Sequence, residues 1–172
     1  MIGRPEPSEA AEYYWRYINC VQGESPLAAM ESQLEEVEKV FGAISEEKSL
    51  YAYAPGKWTI RQMLNHVTDT ERAFAFRALW FARGFEDPLP SYDQEIAAAG
   101  ADANRVTWEN HLQEFNDVRI ATLSLFRNLP EEAWLRTGIA SEKRFSVRAM
   151  AYIIAGHVNY HIDVLRDRYL KN

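Results

Sequence analysis

The last helical pattern of the chain contains the stretch Ala155-Gly156-His157-Val158-Asn159-Tyr160-His161-Ile162. The apolar stripe of this pattern passes through Val147 and Ile154 and resumes at Val164, and the two histidines fill the gap. Residues four apart share one face of a helix, so both imidazoles are expected to point toward the core. Two buried imidazoles one turn apart repel each other when protonated, and a shared cation removes that repulsion. The spacing therefore indicates two ligands to one metal ion.

A third histidine, His66, lies on another helical pattern. Thr59 followed by Gln62 is typical of a capping box, so this helix is expected to begin near residue 59, with His66 two turns inside it. The apolar stripe beside the histidine consists of Ile60, Met63, Val67, Phe74 and Ala78. Two helices would then supply three nitrogen ligands. The alternative is that all three are core histidines with satisfied hydrogen bonds.

Four long helical patterns, with no useful length of period-two alternation, predict an all-α fold. The patterns begin after Ser25, at Thr59, after Thr107 and after Ser146, and they end near Ile44, Arg83, Leu129 and Tyr169. Each carries one apolar stripe, and four such helices most simply bury one another as a four-helix bundle. More than twenty residues separate the second and third helices. A connection of that length can fold over the bundle end that holds the histidines.

Composition limits the organisation of the chain. It has 172 residues and no linker rich in Pro, Gly or Ser, so we expect a single domain over residues 1–172. Residues 1–25 include a cluster of aromatic side chains around Trp15 and predict an amino-terminal arm with a short helical segment. This arm is expected to pack on the bundle or on a partner subunit, and composition does not separate the two.

Charge and hydropathy exclude several classes of protein. The formal charge of -6 and the lack of a basic patch argue against nucleic-acid binding. No stretch of about 20 apolar residues or signal-peptide pattern occurs, so we expect a cytoplasmic protein that does not enter a membrane. The single cysteine, Cys20, cannot form an internal disulfide and is expected to be a small apolar residue rather than a nucleophile.

Several motifs carry a family resemblance. They are Tyr53-Ala54-Pro55-Gly56-Lys57-Trp58-Thr59-Ile60-Arg61 ahead of His66, Asp69-Thr70-Glu71-Arg72, Phe81-Ala82-Arg83-Gly84, Leu89-Pro90-Ser91-Tyr92-Asp93, and Tyr152-Ile153-Ile154-Ala155-Gly156-His157 followed by His161. With this set the sequence resembles the DinB-like superfamily of metal-dependent four-helix-bundle proteins over nearly the whole chain. The resemblance implies a long second-to-third connection, a homodimer, and zinc, nickel or iron bound by residues 66, 157 and 161. Tyr160 departs from the many relatives that place another histidine there.

The resemblance also bears on activity. Known members include transferases and isomerases that use a low-molecular-weight thiol such as bacillithiol, mycothiol or glutathione, and a related domain holds the iron of sulfoxide synthases. Three histidine ligands leave a position open on a metal such as zinc, and a bound cation makes a thiol or water nucleophilic at neutral pH. We therefore expect an exogenous thiol to attack a small electrophilic substrate. The alternatives are a non-catalytic metal-binding stress or interaction protein, a metal-dependent hydrolase, and iron-dependent oxygen chemistry.

Other polar side chains near the predicted site have weaker patterns. Metal-bound histidines usually donate their second N–H to an oxygen, and Asp69 and Asp93 are candidate acceptors. Asp163 is expected to project away from the face that holds His161. Trp58 is expected to plug the core at the bundle end rather than stack on a substrate, and Tyr160 is expected to pack away from the ligands. His111 is expected to be a boundary residue beside the apolar stripe of its helix.

Overall fold

Four long helices form the frame of the protein. In the computed structural model, which describes residues 2–171, the elements are, in chain order, α1 (Trp15–Ile18), α2 (Pro26–Phe41), α3 (Ile60–Ala82), α4 (Gln94–Ala101), α5 (Trp108–Arg127), β1 (Thr137–Ala140), β2 (Lys143–Ser146) and α6 (Val147–Val164). A π-helical turn, Leu165–Tyr169, extends α6. Met1 and Asn172, the end residues of the predicted domain, lie outside the described residues. The bundle of α2, α3, α5 and α6 confirms the predicted all-α fold.

Each long helix begins at the hydroxyl side chain that the sequence predicts. Ser25, Thr59, Thr107 and Ser146 each accept a hydrogen bond from the backbone N–H three residues later. The Thr59 cap is reciprocated, because the Gln62 side chain accepts from the backbone N–H of Thr59 at 2.9 Å. Such caps satisfy backbone donors that the first helical turn leaves free. They fix where each helix begins, and so which turn presents each histidine.

Helix α6 is the central element of the bundle. Apart from half-buried Arg148, every residue from 147 to 158 is buried, and α6 packs against α1, α2 and α3. Burial on all sides explains why this segment is apolar nearly all round rather than along one stripe. Among residues 2–171, no helix has the length and hydropathy needed to cross a membrane.

The amino-terminal arm packs directly on α6. A side-chain carbon at Gly156 would lie 1.9 Å from the backbone carbonyl oxygen of Tyr17, so only glycine allows this close approach. At the other end of the arm, Glu9 accepts hydrogen bonds from Arg148, at 2.7 Å to Nε, and from the Ser146 hydroxyl. The arm thereby brings Tyr17 against the end of the bundle that holds the histidines.

The hairpin formed by β1 and β2 was not predicted. Thr137 pairs with Ser146 and Ala140 with Lys143, and the two turn residues, Ser141 and Glu142, both have positive φ. Positive φ at both central positions is the geometry of a tight two-residue hairpin turn, which usually uses Asn or Gly. Four-residue strands with such a turn sequence give little alternation to detect. The hairpin leads directly into α6.

The connection between α3 and α5 crosses the same end of the bundle. Its central element is α4, whose first turn is capped by the Asp93 carboxylate, which accepts from the backbone N–H groups of Glu95 and Ile96. This long connection agrees with the predicted one. It places the start of α4 over the histidines.

Candidate metal centre

Three histidines from two helices converge at one point. His66 of α3 and His157 of α6 bring their Nε2 atoms to 3.2 Å, and the Nε2 atoms of His157 and His161 lie 3.1 Å apart. The three side chains offer ligand atoms that all lie within 4.8 Å of one another. The structure thus brings together the three residues that the sequence singled out, and their role as metal ligands stays a prediction.

Aromatic side chains enclose this histidine cluster. The centroid of the Trp58 indole ring lies 4.8 Å from that of His66, and the Tyr17 ring lies 5.0 Å from His157. Tyr160 packs edge-on against the His161 ring at 5.3 Å. His66 and His157 are buried and His161 is half-buried. The surroundings therefore hold the rings in place and exclude much of the solvent.

Burial keeps the three imidazoles neutral. It lowers the pKa of His66 to about 4, and, together with the neighbouring His66, it lowers the pKa of His161 to about 3. Burial also lowers the pKa of His157, and the two adjacent histidines lower it further. Neutral imidazole has a lone pair on one ring nitrogen, which is the form that binds metal ions. At neutral pH the cluster therefore offers three uncharged ligands.

The hydrogen bonds of the cluster are incomplete, and a metal ion fits that gap. A neutral imidazole has a single N–H, so three Nε2 atoms facing one another cannot all be satisfied by donation among themselves. The buried Nδ1 of His161 has no hydrogen-bond partner among the described residues, whereas His66 Nδ1 lies 3.4 Å from the Thr70 hydroxyl. A cation bound by three Nε2 lone pairs would satisfy all three atoms at once.

The three candidate carboxylates have other partners. Asp69 accepts from Arg72 at 3.1 Å, Asp93 caps α4, and exposed Asp163 lies 4.0 Å from Arg166. Within residues 2–171, none of them hydrogen-bonds to an imidazole nitrogen of the cluster. For Asp69 and Asp93, acceptance of a histidine N–H stays a prediction.

Other side chains singled out from the sequence have varied surroundings. Half-buried Trp58 lies beside the cluster and lines a cavity, while Tyr160 also packs 5.3 Å from Tyr17. His111 is buried away from the cluster, with its Nε2 2.8 Å from the carbonyl oxygen of Ala103. The thiol of Cys20 donates to the Arg16 carbonyl at 3.1 Å, and burial raises its pKa, which disfavours the thiolate.

The histidine cluster lies between two cavities. The first, of about 250 Å³, includes His161 and is lined by Tyr53, Lys57, Trp58, Met63, Val164 and Tyr169. The second, of about 370 Å³, includes His66 and His157 and is lined by Tyr13, Tyr14, Tyr17, Thr70, Phe74 and Arg77. Gln94 and Glu95, at the start of α4, line both. A metal ion at the cluster would therefore be reachable from two sides.

Arg77 is a residue of the site that the sequence analysis missed. It follows His66 by eleven residues, which is close to three helical turns and places both on the same face of α3. That spacing could have indicated a shared cavity. The apolar residues Phe74 and Ala78 on either side of Arg77 predict an apolar face, so the periodicity of α3 does not single out this charged side chain.

Two solved structures share this fold. YfiT from Bacillus subtilis, described as a probable metal-dependent hydrolase with an unusual four-helix bundle topology, superposes with a TM-score of 0.68 at 18% identity, covering 94% of this chain and 91% of that one. The mycothiol-dependent maleylpyruvate isomerase superposes with a TM-score of 0.68 at 13% identity, covering 80% of this chain and 58% of that one. At these identities the likeness establishes the fold alone.

Sequence comparison leads to the same group of proteins. A protein of Oceanobacillus iheyensis, named as a proposed metal-dependent hydrolase, is 24% identical over 138 residues, which cover 79% of each chain. Residues 29–165 match the sequence model of the DinB superfamily, and this range contains all three histidines of the cluster. The chain belongs to the DinB superfamily.

Proposed function

We propose that this protein is a divalent-metal enzyme that joins a low-molecular-weight thiol to an electrophilic small molecule, as an S-transferase or a thiol-dependent isomerase. The observation that supports this most is the position of three convergent, neutral imidazoles between two cavities. A reaction of a thiol with a second molecule requires two organic ligands to meet at one point. Two cavities that meet at the cluster provide room for both.

His66, His157 and His161 would hold the metal ion, zinc, nickel or iron, through their Nε2 atoms. When bound, a divalent cation lowers the pKa of a coordinated thiol or water, so that the nucleophile is available at neutral pH. The histidines stay neutral because they are buried, and the rings of Trp58 and Tyr17 limit the access of water to them. Lower water access strengthens electrostatic interactions within the site.

The two cavities differ in chemistry. The first combines aromatic and apolar side chains, including Trp58 and Met63, with the charged Lys57 and Glu95, which suits an electrophile that has both an apolar and a polar part. The second combines several tyrosines with the cationic Arg77, which suits a more polar molecule. We assign the thiol to the second cavity and the electrophile to the first.

Metal-dependent hydrolysis is the second candidate. It is favoured by the descriptions of YfiT and of the Oceanobacillus protein, both of which match this chain over most of its length. Water would then replace the thiol as the nucleophile, and one cavity would suffice for the substrate. We also propose, from the resemblance and the composition, that the protein is a cytoplasmic homodimer.

The test is a turnover assay with chelated protein reloaded with zinc, nickel or, anaerobically, ferrous iron. Bacillithiol, mycothiol and glutathione would each be combined with monochlorobimane, whose fluorescence reports S-conjugation. We expect conjugation above the uncatalysed rate that is lost with chelation and in His157→Ala. His111→Gln, which alters a buried histidine outside the cluster, should retain it.

Three results would decide against thiol transfer. Conjugation that is unchanged by chelation and by His157→Ala would contradict a metal-dependent reaction. Metal-dependent cleavage of ester or amide substrates without any thiol would favour the hydrolase instead. Metal binding without either activity would support a non-catalytic metal-binding protein.

A further inference from the structure

Arg77 is a buried cation that has no carboxylate partner in the described part of the chain. The residue is only 5% exposed. Its Nη2 donates to the Pro90 carbonyl at 3.1 Å and to the Ser141 hydroxyl at 3.0 Å. Within residues 2–171, its Nε and Nη1 make no hydrogen bond, and no Asp or Glu forms an ion pair with it. A buried charge is costly unless it is paired. The remaining N–H groups are thus available to an anion from outside the chain.

The position of Arg77 links it to the histidine cluster. Arg77 lines the cavity that also includes His66 and His157. Eleven residues of α3 separate the Cα atoms of Arg77 and His66 by about 16 Å along one helix face. Thr70 and Phe74 line the same cavity between them. One extended ligand could therefore contact both Arg77 and the histidine cluster. It would be shorter than the distance between the two Cα atoms, because the side chains of Arg77 and His66 both reach into the cavity.

The surroundings hold the Arg77 guanidinium in a fixed position. The backbone N–H of Ser141 donates to the Leu89 carbonyl at 3.1 Å, and that of Leu89 donates to the Ile139 carbonyl at 2.9 Å. These bonds fix both acceptors of Nη2, because Pro90 directly follows Leu89. The guanidinium carbon also lies 5.3 Å from the centroid of the Phe74 ring. A donor held in place loses little freedom when a ligand binds.

Two carboxylates share this cavity with Arg77. Asp93 and Glu95 also line it, and both are exposed residues at the start of α4. Among the charged side chains that line the cavity, Arg77 is the one that attracts an anion. Both bidentate edges of a guanidinium include Nη2, whose two N–H groups are already used, so Nε and Nη1 are left to donate single charge-assisted hydrogen bonds to an anion.

We propose that Arg77 binds the carboxylate of the molecule whose reacting group lies at the histidine cluster. The placement of the ligand's reacting group at the histidine cluster rests on the proposed function. The anion site itself requires only Arg77 and its cavity. The ligand class is therefore an extended small molecule, a thiol under the assignment above, with a carboxylate at the end remote from the sulfur.

Calorimetric titration of the purified protein with three ligands tests this inference. Succinate carries only carboxylates, 2-mercaptoethanol carries only a thiol, and 6-mercaptohexanoate carries a thiol and a carboxylate at opposite ends of an extended chain. With metal-loaded protein we expect 6-mercaptohexanoate to bind more tightly than 2-mercaptoethanol. In Arg77→Met this advantage should fall by about 10- to 100-fold, since a charge-assisted hydrogen bond is lost.

Matched variants separate charge from general damage. Arg83→Met removes the same charge from the exposed end of α3 and should bind all three ligands as the unaltered protein does. Arg77→Lys keeps the charge and should recover part of the affinity. Equal binding of 6-mercaptohexanoate by Arg77→Met and the unaltered protein would overturn the inference, as would no preference of the unaltered protein for 6-mercaptohexanoate over 2-mercaptoethanol.

The succinate titration separates this inference from the proposed function. Chelated protein and His157→Ala should still bind succinate through Arg77, and Arg77→Met should not. If metal binding fails while succinate binding depends on Arg77, the anion site stands and the metal enzyme does not. If succinate binding is absent or independent of Arg77 while metal binding holds, the metal centre stands and the anion site does not.

Discussion

Two buried polar clusters in the same bundle differ in whether the chain completes their hydrogen bonds. In one, Arg119 of α5 donates to Glu71 of α3 from Nε at 2.9 Å and from Nη2 at 2.7 Å, and its Nη1 donates to the Gln33 side chain. In the other, the histidine cluster, three Nε2 atoms face one another, and hydrogen bonds among the three neutral imidazoles cannot satisfy all of them. The first cluster is complete without a ligand, and the second lacks one component.

The difference separates structural from functional burial of polar groups. Buried polar atoms are usually satisfied, and those that are not call for a physical reason. The same contrast holds for two buried arginines, because among residues 2–171 Arg119 has a carboxylate partner and Arg77 does not. Arg77 and two histidines of the incomplete cluster line the same cavity. These two incomplete groups therefore lie where a ligand is expected, whereas the unpartnered Nδ1 of His111 and hydroxyl of Tyr152, in the described part of the chain, line neither cavity.

The complete cluster also supports the incomplete one. The Gln33 amide donates to the Ala155 carbonyl at 2.7 Å and to the Asn159 side chain at 2.5 Å. Asn159 lies between His157 and His161 on α6 and donates to the Cys20 carbonyl at 2.9 Å. These bonds tie α2 and the amino-terminal arm to the turn of α6 that presents both histidines. They fix the position of that turn along the bundle.

Breaking the complete cluster should have the largest effect on folding. Glu71→Leu would leave the Arg119 charge buried without its carboxylate, and we expect a loss of about 3–5 kcal/mol in the free energy of unfolding. Urea denaturation would measure it. The double variant Glu71→Leu/Arg119→Met should recover much of the loss, because it removes both charges. A loss below 1 kcal/mol in the single variant would show that the ion pair is not buried as described.

Completing the histidine cluster should have the next largest effect. A metal ion that binds only the folded chain should raise the free energy of unfolding by about 4 kcal/mol at a free concentration one thousand times its Kd. Urea denaturation of chelated protein with and without added zinc would measure this increase. His157→Ala should show none of it, and His111→Gln should show all of it. An equal increase in His157→Ala would place the metal elsewhere.

The contact between the arm and α6 can be tested at Gly156. Gly156→Ala would force a methyl group against the Tyr17 carbonyl, and we expect a loss of about 1–3 kcal/mol in the free energy of unfolding. Gly100→Ala is the control, since a side-chain carbon there meets nothing within 4 Å and alanine favours helix. If both variants unfolded alike, the close approach of Tyr17 would be refuted.

The smallest effect should come from the Glu9 ion pair, a complete but only partly buried interaction. Burial raises the pKa of Glu9, but hydrogen bonds from Arg148 and Ser146 outweigh it and hold the pKa below its ordinary value. The unfolded chain then binds more protons as the pH falls below about 4.5, so this stabilisation is lost as the pH falls through the folded pKa.

We expect this loss to be at most about 1 kcal/mol, because solvent screens the pair. It would be measured as the difference in unfolding free energy between the unaltered protein and Glu9→Gln at pH 7 and at pH 3.5. The difference should shrink at the lower pH. A difference that stays constant would mean that Glu9 contributes no charge-dependent stability.

The sequence predicted the frame of the fold well because its signals are local. Caps such as Thr59 and Ser146 and the apolar stripes lie within single helices, so they can be recognised without knowledge of the partner helix. The hairpin was not predicted because its turn residues, Ser141 and Glu142, adopt positive φ although neither is the Asn or Gly that usually marks such a turn. The bundle confirms the prediction drawn from periodicity and family resemblance.

The site was less predictable because its properties arise from contacts between elements. The sequence indicated which three histidines would face inward, but not that Trp58 would line a cavity beside them rather than plug the core. The pairing of Glu71 with Arg119 joins residues 48 apart in sequence and has no local signature. The helical spacing of Arg77 from His66 is present in the sequence, but only the three-dimensional structure shows that, among residues 2–171, Arg77 has no carboxylate partner.

The most direct test of the central claim is the metal content of the purified protein. Elemental analysis would compare the unaltered chain, His157→Ala and His111→Gln, each expressed without a tag and reconstituted with zinc, nickel or ferrous iron. We predict about one divalent metal ion per chain in the unaltered protein and in His111→Gln, and nearly none in His157→Ala. No metal in any of them after reconstitution, or equal metal in all three, would contradict the assignment of the histidine cluster as a metal centre.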